Sequence, residues 1–338
     1  MKNRIFAAAR ILLPVVLLAW IIYQVWKNDP DAIAEFATAP KQWGWLLASL
    51  LAYLVAMLIT FWRWYILVAA LELPFHLRDA VRLGFVGFLL QFVSLGTVGG
   101  DLFKAIFIAK EQPTRRPEAV ATIFIDRAVG LLALLIITSL AFLSIGWERL
   151  DPKLHPVAIS CFVITAIGIF VVAGLLWTSA TTRPLRNLLR NVPMAPALLL
   201  RGEHALQMYR ARRSAFLLAL GSALVSHSIL AISGYCAARG LLTKWPSFGN
   251  QIALWNMAGA CGSLPLTPGG LGTFEFAYSK LFAWMSDVGN TQAEGAFVSF
   301  AIRIITLFIA GIGVVVYLTQ RGEINQLMDE AATIESEE

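Results

Sequence analysis

The chain has 338 residues, 58% of them hydrophobic and 14% charged, where a soluble domain carries about 25% charged residues; that balance excludes an ordinary water-soluble fold. Its net charge of +6 rests on Lys and Arg gathered in a few loops, which reads as a set of membrane-orientation signals and excludes a nucleic-acid surface. Cys161, Cys236 and Cys261 sit in apolar segments without ligand spacing, and His76, His155, His204 and His227 are scattered, so neither a metal centre nor another cofactor is expected.

In chain order, apolar runs at 8–26, 43–71, 118–145, 156–177, 214–239 and 293–319 predict six full transmembrane helices, without the strand alternation of an outer-membrane barrel. The first run, ILLPVVLLAWIIYQVW, follows Lys2, Arg4 and Arg10 and lacks a small-residue cleavage site, so it is expected to stay as a crossing with a cytoplasmic N-terminus. The connection 27–42 carries Asp29, Asp31 and Glu35 against Lys27 and Lys41 and is assigned to the outside. Two more apolar regions, 80–110 and 250–286, are broken in the middle by SLGTVGGDLFK and SLPLTPGGLGTFEF. The first is flanked by Arg78, Arg82, Lys110, Arg115 and Arg116, which predicts a hairpin that enters and leaves on the cytoplasmic side. The second has Arg239 and Lys244 before it and Asp287 and Glu294 after it, and this mixed charge places its base outside.

Between them, the loop 178–213 holds seven arginines and one acid, Glu203, and is assigned to the cytoplasm. Within it Leu185, Leu188, Leu189 and Val192 oppose Arg183, Arg186 and Arg190, which suits either an amphipathic helix on the anionic leaflet or a basic topology loop with a short helix. Residues 321–338 form a polar C-terminal tail, also cytoplasmic. The expected fold is therefore an all-α integral membrane protein with one polytopic domain over 1–320. Six crossings and two re-entrant hairpins of opposite entry would make its halves, 1–146 and 156–320, an inverted repeat.

The breaks concentrate the residues that could do chemistry. Backbone breaks inside a bilayer are tolerated where protein or a water-filled cavity covers them. Gly99 and Gly100 suit a tight turn, with Asp101 capping a helix from Leu102. In the second break Pro265 and Pro268 stop one helix, Gly269, Gly270 and Gly272 turn the chain, and Thr273 caps the next helix with Glu275 in its first turn. Each break would aim a helix N-terminus, which attracts anions, at the interior. Arg303 lies about 15 Å into its span and Arg127 about 12 Å from its cytoplasmic end, at ~1.5 Å of rise per residue. Either could grip phosphate with its guanidinium fork, or serve structurally, as in a pair of Asp126 with Arg127. Arg63, in FWRWY, could snorkel among its aromatic neighbours, form a structural pair or join an anion site. No nucleotide-binding, hydrolase or metalloprotease motif is present, and the longest cytoplasmic segment, 178–213, is too short for a synthase module.

GTVGGDLFKAIFIAK, IDRAVGLLALL, PLTPGGLGTFE and Arg303 in the last span resemble the flippase-like membrane domain of lysylphosphatidylglycerol synthases, which also occurs as a stand-alone membrane protein. The order and spacing fit over about residues 10–320. The resemblance implies translocation of a lipid between leaflets, and with the residue reading it points to a phosphate-headed or otherwise anionic lipid held by Lys104, Arg127 and Arg303. Lys104 departs from the arginine expected there, and without an aminoacyl-transferring domain synthase activity is not carried over. Two alternatives stay open: a membrane subunit of a lipid-modifying or glycosyl-transferring enzyme whose catalytic partner is a separate chain, and an ion-coupled transporter of a small soluble anion.

Overall fold

The apolar runs fold into eleven α-helices, with no strand among the described residues. A computed structural model of the chain describes residues 2–93, 97–177, 187, 207–264 and 266–319, with backbone alone for 2–11, 93, 97 and 98. In order the helices are α1 (Lys2–Asn28), α2 (Pro30–Thr38), α3 (Trp43–Ala70), α4 (Leu77–Val93), α5 (Thr97–Glu111), α6 (Arg116–Ile145), α7 (His155–Trp177), α8 (Arg213–Leu241), α9 (Phe248–Ser263), α10 (Thr273–Trp284) and α11 (Gln292–Thr319). Of these, α3, α6, α7, α8 and α11 are long and apolar enough to cross a bilayer, and α1 has a shorter described apolar stretch, Leu12–Asn28. The amphipathic pattern around 183–192 and the tail 321–338 lie outside the described residues.

One element is new. The acidic connection 27–42 contains α2, started by Pro30, whose fixed φ suits a first helical turn. It buries Ala32 and stacks Phe36 on Phe297 of α11, with ring centroids 4.2 Å apart. By contrast α7 packs against α6 and leaves Ile164, Ile167 and Phe170 exposed, as a helix bathed in lipid does.

Both broken regions are helical hairpins, α4–α5 and α9–α10, and around them the chain repeats itself. The series α3–α4–α5–α6 has lengths of 28, 17, 15 and 30 residues, and α8–α9–α10–α11 has 29, 16, 12 and 28. The leading helices of the two series run antiparallel in the most extensive helix contact of the molecule. At one end the Gln42 amide donates to the Gly240 carbonyl at 2.9 Å, and at the other the Tyr209 hydroxyl donates to the Leu67 carbonyl at 2.9 Å. Between them Ser49 and Ser233 each donate a hydroxyl to the other's carbonyl, both at 2.8 Å. Such small, mutually satisfied residues let two apolar helices approach closely inside a membrane. Since each hairpin follows the C-terminal end of its leading helix, the antiparallel pair sends the hairpins in from opposite ends, as an inverted repeat requires. Packing is crosswise: α4 lies on α11 and α9 on α6, so each hairpin is wedged against the last span of the other half.

This arrangement sets an expected labelling result. In a background with Cys161, Cys236 and Cys261 replaced, His76→Cys at the base of the first hairpin should react with an impermeant thiol reagent from the cytoplasm. Val288→Cys, at the base of the second, should react from outside. Both sites are exposed. Reaction of both from one face would contradict opposite entry.

Candidate functional site

At the first hairpin tip the helix begins earlier than its glycines suggest. α5 starts at Thr97, so Gly99, Gly100 and Asp101 lie inside it, and the positive-φ glycines are Gly146, Gly269, Gly270, Gly272 and Gly289. The tight turn expected at Gly99 and Gly100 and the cap expected of Asp101 are therefore corrected. Gly100 provides contact instead: a Cβ there would fall 2.2 Å from the Gly87 carbonyl oxygen of α4. Asp101, one turn in from the start of α5, faces α6 and accepts both Nε and Nη2 of Arg127 at 2.6 Å.

The second tip is built differently and does a similar job. Pro268–Gly270 forms a 3-10 turn, with Gly269, Gly270 and Gly272 at φ of 57°, 67° and 79°, a left-handed region that glycine alone enters without a steric penalty. The N-cap of α10 is Gly272, not Thr273: the Gly272 amide donates to Glu275 Oε2 at 2.7 Å, while the Thr273 hydroxyl donates back to the Gly270 carbonyl at 3.0 Å. The other oxygen of the fully buried Glu275 accepts Arg303 Nε at 2.5 Å. Arg303 Nη1 and Nη2 then donate to the Gly269 and Gly270 carbonyls at 2.9 and 3.2 Å. A Cβ on Gly270 would fall 2.4 Å from the Gly262 carbonyl oxygen, so Gly262 and Gly270 close this hairpin as Gly87 and Gly100 close the other.

Arg127 and Arg303 are thus counterparts. Each stands eleven residues after the start of its span, Arg116 or Gln292, and each grips a carboxylate near the start of the preceding hairpin helix. A third pair has no such counterpart. Arg63 Nε and Nη2 donate to Asp126 Oδ1 and Oδ2 at 2.7 and 3.0 Å, with both residues buried. Of the readings open for Arg63 this is the structural pair, and it corrects the pairing of Asp126 with Arg127. Successive residues on a helix point about 100° apart and cannot face each other, so Asp126 turns to α3 and Arg127 to α5. Gly130 leaves the space: a Cβ there would be 3.3 Å from Arg63 Nη2.

The charged residues converge on one cavity of about 540 Å³ between the two tips. Asp101, Lys104, Asp126, Arg127, Gly269 and Arg303 line it, as does Arg63. Gly100, Gly270, Gly272 and Glu275 stand behind that wall as its packing and hydrogen-bond support, Pro268 opens the turn, and Gly99 is buried within α5. Phe88, Phe92, Trp255 and Phe274 supply an apolar side, and His227 and Asn256 add polar groups from α8 and α9 that the sequence reading passed over. A histidine in the middle of a span was the available signal for His227. Among the described residues no three His, Cys, Asp or Glu side chains are grouped to hold a metal.

Comparison with known proteins gives one answer. No curated protein matches the chain. The family profile described as lysylphosphatidylglycerol synthase TM region matches residues 6–313, which takes in both hairpins, all three of these ion pairs and the cavity. The chain is a multi-pass membrane protein, and it belongs to the lysylphosphatidylglycerol synthase TM region family.

Proposed function

We propose that the protein moves a lipid with a phosphate or other anionic headgroup between the leaflets of the cell membrane, with both termini cytoplasmic. The headgroup passes through the cavity while the acyl chains stay in the bilayer. One observation carries this reading: a cavity whose charged lining has an excess of positive charge sits where two hairpins of opposite entry meet. Four cations line or reach it, Arg63, Lys104, Arg127 and Arg303, against the carboxylates of Asp101, Asp126 and Glu275. Charged groups at that depth cost several kcal/mol even on lenient scales, and such groups inside a span mark substrate pathways. A volume of about 540 Å³ is within the range of small-molecule sites, roughly 300–1,000 Å³, large enough for a headgroup and too small for two acyl chains as well.

The test is transfer of headgroup-labelled phosphatidylglycerol in proteoliposomes, followed by the fraction that an impermeant quencher reaches. Protein-dependent transfer supports the reading. The family's description also refers to the membrane region of a synthase, which favours a second reading as the membrane subunit of a lipid-modifying or glycosyl-transferring enzyme with a separate catalytic chain. No transfer of any anionic lipid by folded protein, with lipid modification appearing only when a co-purified enzyme is added, would replace the first reading by the second.

A further inference from the structure

We infer that Lys104 is the seat of the substrate's charge and that the cavity takes a group with a single negative charge, a phosphodiester, in preference to a phosphomonoester or diphosphate. This rests on the lipid reading above and narrows its substrate. The three arginines of the cavity are already committed: Arg63 to Asp126, Arg127 to Asp101, and Arg303 to Glu275 and two glycine carbonyls. Lys104 lines the same cavity and makes no ion pair among the described residues. Residues 94–96, Ser, Leu and Gly, bring no carboxylate by sequence.

The side chain is nonetheless held in place. Its stem crosses Gly87, where a Cβ would fall 2.9 Å from Lys104 Cε, so only glycine leaves the slot open. Its ammonium lies 5.2 Å from the Trp64 ring centroid and 6.0 Å from that of Phe61. Aromatic faces stabilise a cation without using its N–H donors, and three donors therefore stay available to an oxygen ligand. The repeat places Tyr278, three residues after Glu275, where the first half has Lys104, three residues after Asp101, and that tyrosine accepts a hydrogen bond from Gln251 at 2.9 Å. The extra cation therefore belongs to the first half alone and is no requirement of hairpin closure.

Charge balance selects the ligand. Three carboxylates against four cations leave one positive charge in a membrane interior, where a buried charge without a partner is costly. A phosphodiester carries one negative charge and balances it. A phosphomonoester carries about −1.5 to −2 near neutral pH and would leave excess negative charge beside Asp101 and Asp126. Lysine also suits a ligand that must leave again, because a compact, rotatable ammonium holds phosphate as a point charge and not through a planar fork.

The experiment measures binding apart from transport. Purified protein in neutral detergent is titrated with dioleoylphosphatidylglycerol, dioleoylphosphatidic acid, dioleoylglycerol and water-soluble glycerophosphoglycerol, reading affinity from ligand-induced thermal stabilisation. At about pH 8, where the monoester is doubly ionised, wild type should prefer phosphatidylglycerol to phosphatidic acid and ignore dioleoylglycerol; that comparison needs no variant. K104Q should weaken phosphatidylglycerol binding about tenfold to a hundredfold while keeping the lipid-free melting midpoint, and K104R should retain most of the binding. Should K104Q fold poorly, K104M serves the same purpose. Equal affinity of wild type and K104Q, or tighter binding of phosphatidic acid than of phosphatidylglycerol by wild type, overturns the inference. Lys104-dependent binding without transfer in proteoliposomes would remove the translocase reading and leave this one standing, whereas equal transfer by wild type and K104Q would do the reverse. Glycerophosphoglycerol bound as tightly as the lipid would keep the charge seat but assign it to a soluble phosphodiester.

Discussion

Glu275→Ala should lower stability by about 3–5 kcal/mol, the usual cost of removing one partner from a buried ion pair. Glu275 is fully buried, and its carboxylate binds the Gly272 amide on one side and Arg303 on the other. Without it, Arg303 becomes an uncompensated charge deep in the protein and α10 loses its N-terminal cap. The loss should appear as a lower unfolding midpoint in detergent and a smaller yield of monodisperse protein. Arg303→Met in addition should recover part of the loss, since an apolar replacement of a whole buried pair is far less costly than half of it; recovery stays incomplete because the Gly269 and Gly270 carbonyls lose their donors. A Glu275→Ala protein that melts like wild type would show that the pair does not hold the hairpin.

Gly270→Ala should be worse still for a single methyl group. A left-handed backbone costs a non-glycine residue roughly 1–2 kcal/mol, and here the added carbon would sit 2.4 Å from the Gly262 carbonyl oxygen, against backbone that cannot swing aside. Gly100→Ala meets the Gly87 carbonyl at 2.2 Å without the left-handed penalty, so it should be damaging for the contact alone. Gly311→Ala is the control: a Cβ there meets nothing within 4 Å in the middle of α11. It should keep or raise the midpoint, because alanine in a helix interior is favoured by roughly 0.5–1 kcal/mol over glycine. The three are compared by thermal unfolding of detergent-purified protein, and a Gly270→Ala midpoint equal to that of Gly311→Ala would contradict close closure of the second tip.

What the sequence made legible were the exceptions to its own apolar rule. Glycines, prolines and charges inside long hydrophobic runs are costly, so the hairpins, their opposed bases and the depth of Arg303 could all be read from position alone. Pairings could not. Whether Asp126 meets Arg127 or Arg63 depends on how α6 is rotated against α3, and Arg63 is 63 residues away in the chain. Caps were misplaced for a related reason: Asp101 and Thr273 are good capping residues by type, but a helix start five residues earlier and a left-handed Gly272 put the ends elsewhere. Helix α2 was hidden because its acids look like a topology signal, while its apolar side packs on α11.

The placement of the cavity's ion pairs has a mechanical consequence. Arg63–Asp126 and Arg127–Asp101 both lie within the first half, and Arg303–Glu275 within the second. Across the seam the buried contacts are of other kinds: the Ser49 and Ser233 hydroxyls, the aromatic faces of Phe92 around Arg303, and the close approach of Gly313 to the Phe85 backbone. Each half thus keeps the ion pairs of the cavity to itself, while the joint between halves rests on helix packing and on hydrogen bonds such as Gln42–Gly240, Ser49–Ser233 and Tyr209–Leu67. A tilt of one half against the other would therefore have to repack helix faces and exchange those hydrogen bonds, but would leave all three charge pairs of the cavity intact.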